Sequence, residues 1–254
     1  VLAYIPVKDI KDPEYANANY VVLATKLGLV KKTSLEAYSR PRTNGINAIT
    51  IREGDELLQA KLTNGENEVI LALKSGKAIR FNESTTRAVG RTAMGVRGIR
   101  LGGPDDEVIG MVCIQDTESS VLVVSKNGYG KRSAVDDYRI TNRGGKGVKT
   151  LQITEKTGEL ISILNVTDEH DLMIVNKSGI TIRMAAADLR VMGRATQGVR
   201  LINLKGSDEI ASVCRVPKAD DEQIPKVIKE GEANEGMELN DEAITLESND
   251  SETK

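Results

Sequence analysis

Four stretches decide how this chain reads: VVLATKLGLVKK at 21–32, VILALKSGKAIR at 69–80, VLVVSKNGYGKR at 121–132 and LMIVNKSGITIR at 172–183. Each is an apolar run, then a turn with Gly, then a second run ending on a base. Branched apolar residues suit the half-buried surface of a strand, and Gly supplies the positive φ of a tight hairpin turn. Lys-Ser-Gly-Lys at 74–77 and Lys-Asn-Gly-Tyr at 126–129 therefore read as hairpin turns. The turn glycines Gly28, Gly76, Gly128 and Gly179 are spaced by 48, 52 and 51 residues, and Lys32, Arg80, Arg132 and Arg183 stand four residues past them.

Two further landmarks hold the same period. A loop with Arg and then Gly recurs as PRTNGI, GRTAMGV, NRGGKGV and GRATQGV, with Gly45, Gly95, Gly147 and Gly198 spaced by 50, 52 and 51 residues. An acidic turn then leads into a strand in GDELLQAKL, DDEVIGMVCI, GELISILNV and SDEIASVCRV. The repeats run over about 20–63, 68–114, 120–166 and 171–216, and the opening VLAYIPV matches the end of the third landmark. About 51 residues accommodate four short strands with their turns, so the fold expected for 1–216 is all-β: a propeller-like array of four-stranded blades. Brief helical turns fit at 35–38, 135–138 and 185–189, none long enough to change the class. The runner-up is a string of separate small barrels, but each unit holds too little core to stand alone.

The 254 residues are 28% charged and 39% hydrophobic, with no apolar run of membrane-spanning length. The chain opens on Val1 with neither an initiator Met nor a leader, so it is expected to be a piece of something longer. Two cysteines build no disulfide framework and favour a reducing, cytoplasmic compartment. A single His excludes most metal sites and imidazole catalysis. Residues 217–254 carry 12 acids and 4 lysines, leaving 25 acids and 31 bases in the body, which is a tail of −8 on a body of +6. The tail has no aromatic residue and reads as a disordered acidic segment, with a short helix at 241–247 as the alternative.

The recurring bases carry the functional reading. The candidates are Lys31, Lys32, Arg80, Lys131, Arg132 and Arg183 from the hairpins. The glycine loops add Arg42, Arg91, Arg97, Arg100, Arg143, Lys146, Lys149, Arg194 and Arg200. Cations beside glycines that leave backbone N–H groups open suit phosphate, and one such set per repeat makes a stripe that follows a double helix. Single strands fit less well, because stacking platforms need aromatics and these are 3% of the chain. The plain alternative is that charged hairpins serve only to prevent edge pairing. No catalytic or metal residue is assigned. RGGKG at 143–147 and GYGKR at 128–132 lack the nucleotide-cradling GxxxxGK spacing, His170 reads as a surface turn residue, and Cys113 and Cys214 read as buried apolar side chains. Asp55, Glu56, Asp106, Glu107, Asp208 and Glu209 read as turn formers.

The strings NYVVLATKLGLVKKTSL, PRTNGINAI, REGDELL, GRTAMGVRGIRL, KNGYGKRS, NRGGKGVKT and GRATQGVRL are similar to the C-terminal domain family of the DNA gyrase A subunit, in register over residues 1 to about 216. The resemblance implies a six-bladed β-pinwheel whose blades exchange strands and whose basic rim wraps duplex DNA. It places the chain in an A2B2 type II topoisomerase that uses ATP to introduce negative supercoils in the bacterial cytoplasm, at the nucleoid. It implies no cofactor here, ATP and Mg2+ being bound elsewhere in the parent enzyme. The implied partners are double-stranded DNA, a second A subunit and the gyrase B subunit, with no membrane. The family's hallmark box, Gln-Arg-Arg-Gly-Gly-Arg-Gly, is absent, and Asn142 to Gly147 is the nearest string. None of the six tyrosines follows an Arg, as the cleaving Tyr of the parent enzyme does. The fragment is expected to bind DNA and cleave nothing. A protein-binding propeller, more distantly a hydrolase, and the related domain of the topoisomerase IV A subunit stay open as rivals.

Overall fold

A computed structural model of the chain describes residues 3–218. The acidic tail, expected to be disordered, lies outside the described residues from 219 onward. In the first repeat β1 (Tyr20–Thr25) and β2 (Leu29–Ser34) form the hairpin, and β3 (Leu57–Thr63) pairs with the far side of β1. The second repeat supplies β4 (Glu68–Leu73), β5 (Lys77–Asn82), the two-residue β6 (Val96–Arg97) and β7 (Val108–Ile114). The third supplies β8 (Ser120–Ser125), β9 (Tyr129–Ala134), β10 (Val148–Lys149) and β11 (Leu160–Val166). The fourth supplies β12 (His170–Asn176), β13 (Thr181–Ala185), β14 (Val199–Arg200) and β15 (Ile210–Pro217).

A blade is not one repeat. The sheets run β3-β1-β2-β6, β10-β5-β4-β7, β11-β8-β9-β14 and β13-β12-β15, so the second, third and fourth repeats each lend a two-residue strand to the blade before them. All pairings between these named strands are antiparallel. The expectation of four four-stranded blades therefore holds for three of them. The last has three strands because no further repeat follows it among the described residues. The second-landmark glycines make the exchange possible. Gly95, Gly147 and Gly198 have φ of 92°, 68° and 80°, and a Cβ there would lie 2.6, 2.5 and 2.5 Å from the carbonyl oxygens of Val30, Ala78 and Gly130 in the receiving blade. Gly45, whose loop enters no described blade, has open space around it.

The apolar cores sit between blades. One joins Val22, Ala24 and Val30 to Val69, Leu71, Phe81 and Met111; the next joins Ile70, Ala78 and Val112 to Val121, Val135 and Ile163; a third joins Leu122 and Val166 to Leu172, Ile174 and Ile210. This shared packing leaves no room for independent barrels. The helical turns appear at Leu35–Tyr38, Glu83–Thr85, Val135–Asp137 and Ala186–Asp188. A six-residue helix, α1 (Pro13–Ala18), was not anticipated. Asp12 caps it by accepting from the Glu14 N–H, and Pro13 stands at its first position. With Ile5, Val7 and Ile10, it covers the outer apolar face of the first blade. Cys113 packs beside the first of these cores, but Cys214 is exposed, contrary to the buried assignment. Its strand β15 has an inner neighbour, β11, on one side only, so its outward side chains stay uncovered among the described residues.

Candidate nucleic-acid interface

Three of the four bases that stand four residues past the turn glycines do not reach the surface. Lys32, Arg80 and Arg132 are buried, at 7%, 5% and 5% exposure. The reason lies in the next repeat, where the carbonyl of the residue that opens the 3-10 turn accepts a second hydrogen bond, from the base. Arg80 donates Nη1 to the Val135 and Tyr138 carbonyls at 2.7 and 3.0 Å, and its Nε and Nη2 hold Glu68 at 2.6 and 2.5 Å. Arg132 donates Nη1 to the Ala186 carbonyl and to Asp168, both at 2.7 Å. Lys32 donates Nζ to the Glu83 carbonyl at 3.3 Å and lies over the Tyr20 ring at 4.9 Å. These three are therefore clamps between repeats rather than the phosphate contacts expected of them. The fourth, Arg183, is more open; it holds Asp171 at 2.7 Å and donates to the Pro217 carbonyl at 3.0 Å.

Lys31 and Lys131 are fully buried and also leave the candidate surface. Lys31 Nζ donates to the Ala48 carbonyl at 2.5 Å and to that of Arg91; Lys131 Nζ donates to the Gly193 carbonyl at 2.8 Å, to that of Arg194, and to Thr196 Oγ1 at 3.1 Å. Burial first, and the nearby Arg91 or Arg194 second, push both ammonium groups down to about 8. The unfolded chain, with lysines near 10.5, then binds more protons over that interval. The burial penalty is present below about pH 8 and relieved as the pH rises towards 10.5, so stability should rise across the window. Lys131→Met should flatten this rise in urea midpoints measured at about pH 7.5 and about pH 10. An equal rise in both proteins would contradict the assignment.

Arg91, Arg143 and Arg194 are half-buried and tie neighbouring loops together. Arg91 donates to the Asn47 carbonyl at 3.3 Å, Arg143 to those of Thr85 and Arg97 at 3.0 and 3.1 Å, and Arg194 to that of Asp137 at 3.0 Å and to that of Lys149. Asn47, Arg97 and Lys149 are equivalent residues, two past Gly45, Gly95 and Gly147. Each Arg therefore fixes the loop of the repeat before it.

Arg42, Arg97, Arg100, Lys146, Lys149 and Arg200 are exposed. Arg97, Lys149 and Arg200 end the three exchanged strands, opposite Leu29, Lys77 and Tyr129 in the receiving blades. Arg200 is oriented by Tyr129, whose hydroxyl accepts its Nη2 at 2.9 Å and whose phenol is held below its usual range mainly by that bond. Sequence reasoning missed Arg87, Arg139 and Arg190. They are exposed, stand eight residues before Gly95, Gly147 and Gly198, and their side chains form no hydrogen bond or ion pair with another described residue. Their recurrence at 52 and 51 residues was a visible signal.

The acidic landmark serves the turns. Asp55 accepts from the Leu27 N–H at 2.9 Å, Asp106 from those of Ser75 and Gly102 at 3.0 and 2.7 Å, and Asp208 from Ser178 Oγ at 2.8 Å. Glu209 pairs with Lys126 at 2.8 Å. Among the described residues no cluster of three His, Cys, Asp or Glu could hold a metal. No described helix is long and apolar enough to cross a membrane.

Repeats that each complete the preceding blade, with bases recurring on the completing strand, define a strand-exchanging propeller-type domain. The chain belongs to the DNA gyrase C-terminal domain family, described as a beta-propeller, whose family model matches residues 19–64, 68–115, 119–167 and 170–216. It is 46% identical over 220 residues to the DNA gyrase A subunit of Staphylococcus aureus strain MRSA252, covering 86% of this chain and 24% of the relative. It is 45% identical over 248 residues to that of strain NCTC 8325 / PS 47, covering 94% and 27%. The chain thus spans about a quarter of the curated relatives it matches. The crystal structure of the C-terminal domain of DNA topoisomerase IV is similar with a TM-score of 0.76 at 24% identity, over 84% of this chain and 64% of that one. A DNA gyrase A C-terminal domain structure is similar at 0.71 and 23% identity, over 82% and 68%. These likenesses show the fold. Between the two topoisomerase readings left open by the sequence, the family match and the relatives favour gyrase.

Proposed function

We propose that the chain binds duplex DNA along its exposed bases and bends or wraps it. In the whole protein it would act as part of the gyrase A subunit, within an A2B2 enzyme that couples ATP hydrolysis to negative supercoiling in the bacterial cytoplasm, at the nucleoid. The partners are double-stranded DNA, a second A subunit and the gyrase B subunit. ATP and Mg2+ belong to other regions of the parent, and the chain has no cofactor or catalytic residue of its own. The observation that carries the reading is the recurrence of Arg97, Lys149 and Arg200 as exposed cations on the exchanged strands of consecutive blades. Cations at equivalent places on a repeated scaffold meet a repeated anion, and the phosphate backbone is that ligand.

A gel-shift titration on linear duplex tests the reading. With about six phosphates neutralised, log K should fall against log salt with a slope near −5 and little sequence preference. A flat response, or affinity that varies strongly among sequences, would overturn it. The same assay tests the tail. A −8 segment tethered to a +6 body competes with phosphate for the same cations. Removing residues 218–254 should tighten binding at low salt and matter less at high salt. Unchanged low-salt affinity would count against this role.

A further inference from the structure

We propose that the dipeptides Arg139-Ile140 and Arg190-Val191 are minor-groove inserts, the Arg entering the groove while the apolar side chain wedges against the base stack and kinks the duplex. The inference rests on the duplex-binding reading above and adds contacts to the bases, which phosphate binding does not require. Arg87-Ala88, Arg139-Ile140 and Arg190-Val191 occupy one position in three consecutive repeats. Ile140 and Val191 are each 54% exposed, two of the seven exposed large apolar residues among those described. Each follows an exposed Arg that has no partner among the described residues.

The backbone beneath them is fixed. Ile140 and Val191 form isolated parallel bridges with Arg80 and Arg132, and the next residues, Thr141 and Met192, donate their N–H to the Arg80 and Arg132 carbonyls at 2.8 Å each. These backbone bonds fix the chain at both dipeptides while the Ile140 and Val191 side chains stay exposed, and a branched side chain kept in water at a rigid position has a hydration cost that a polar residue would avoid. A merely solvated rim calls for no such residue. Narrow minor grooves attract Arg, and apolar wedges beside it unstack base steps and bend DNA. Ala88 is too short to wedge, which leaves two inserts, one in each of two neighbouring repeats.

The test uses the full chain with a duplex of about 30 base pairs rich in flexible TA steps, carrying 2-aminopurine and end-labelled for fluorescence transfer. The wild-type chain should raise 2-aminopurine fluorescence and bring the ends together, and an AT-selective minor-groove polyamide should compete with it. Ile140→Ser with Val191→Ser should leave the salt slope unchanged and weaken binding less than about threefold, while cutting the fluorescence rise and end approach at least about fivefold. Leu at both positions should restore them. Full bending and unstacking in the serine variant, or no competition by the polyamide, would overturn the proposal while salt-dependent duplex binding stands. If the wild type shows no saturable, salt-dependent shift, the duplex-binding reading itself fails and the inserts fall with it. These dipeptides would then be better read as a docking point for a protein.

Discussion

Arg80→Met is expected to lower the unfolding free energy by about 3–5 kcal/mol, the range for removing one partner of a buried, hydrogen-bonded charge pair. The guanidinium is 5% exposed and satisfies Glu68 together with the carbonyls of Val135 and Tyr138. Methionine fills much of the volume but donates nothing. At the junction of the second and third repeats Glu68 would lose its guanidinium partner, the Tyr138 carbonyl would lose the Arg80 donor, and the Val135 carbonyl would keep only the Tyr138 N–H. Because each repeat is stabilised by its neighbours, the loss should fall on that junction, and the denaturant transition should be broader than that of the wild type or split. Fluorescence of a dye on either side of the junction, followed through a urea titration, reads both effects. Unchanged stability would return Arg80 to the surface role the sequence suggested.

Replacing Arg97, Lys149 and Arg200 together by Ala should weaken duplex binding by about two orders of magnitude at low salt, with little change in stability. The three side chains are exposed, and Arg97 and Lys149 donate no side-chain bond to a described residue; Arg200 gives up its contacts with Tyr129 and Asn203. Losing exposed contacts costs little folding energy. Circular dichroism melts and the gel shift, run on the same preparations, separate the two effects. Affinity within about twofold of the wild type would remove these residues from the interface.

Much of the architecture was legible because it rests on local chemistry repeated four times. The hairpins followed from apolar runs bounded by turn glycines, and the helical turn at Leu35–Tyr38 stands where it was expected. Strand exchange was not legible from the residues alone. A period says that units are equivalent, but a two-residue strand such as Val96–Arg97 pairs as readily with one neighbour as with another until close contact decides. The decisive contacts are those of Gly95, Gly147 and Gly198, whose missing side chains admit the receiving blade's carbonyls.

The site was half legible for a related reason. A recurring base has the same signature in sequence whether it faces solvent or a carbonyl of a neighbouring 3-10 turn. The period alone gives Lys32, Arg80 and Arg132 to phosphate, whereas the carbonyls of Glu83, Val135 and Ala186 claim them. Arg87, Arg139 and Arg190 were overlooked because they lie outside the glycine-centred strings, although their period is as regular. The burial of Lys31 and Lys131 in the first and third repeats has no counterpart in the second and fourth, where Ile79 and Ile182 occupy the position. A search for identity in every repeat passes over such alternation.

The most direct test of the account is the slope of log K against log salt for wild type, the Arg97/Lys149/Arg200 alanine variant and Arg80→Met on one duplex, each at a temperature where it is folded. The alanine variant should be shallower than wild type by about 2.7, three contacts at about 0.9 each, and Arg80→Met should match the wild-type slope. The reverse pattern, with Arg80→Met flattened and the alanine variant unchanged, would contradict the division between clamping and DNA-facing bases.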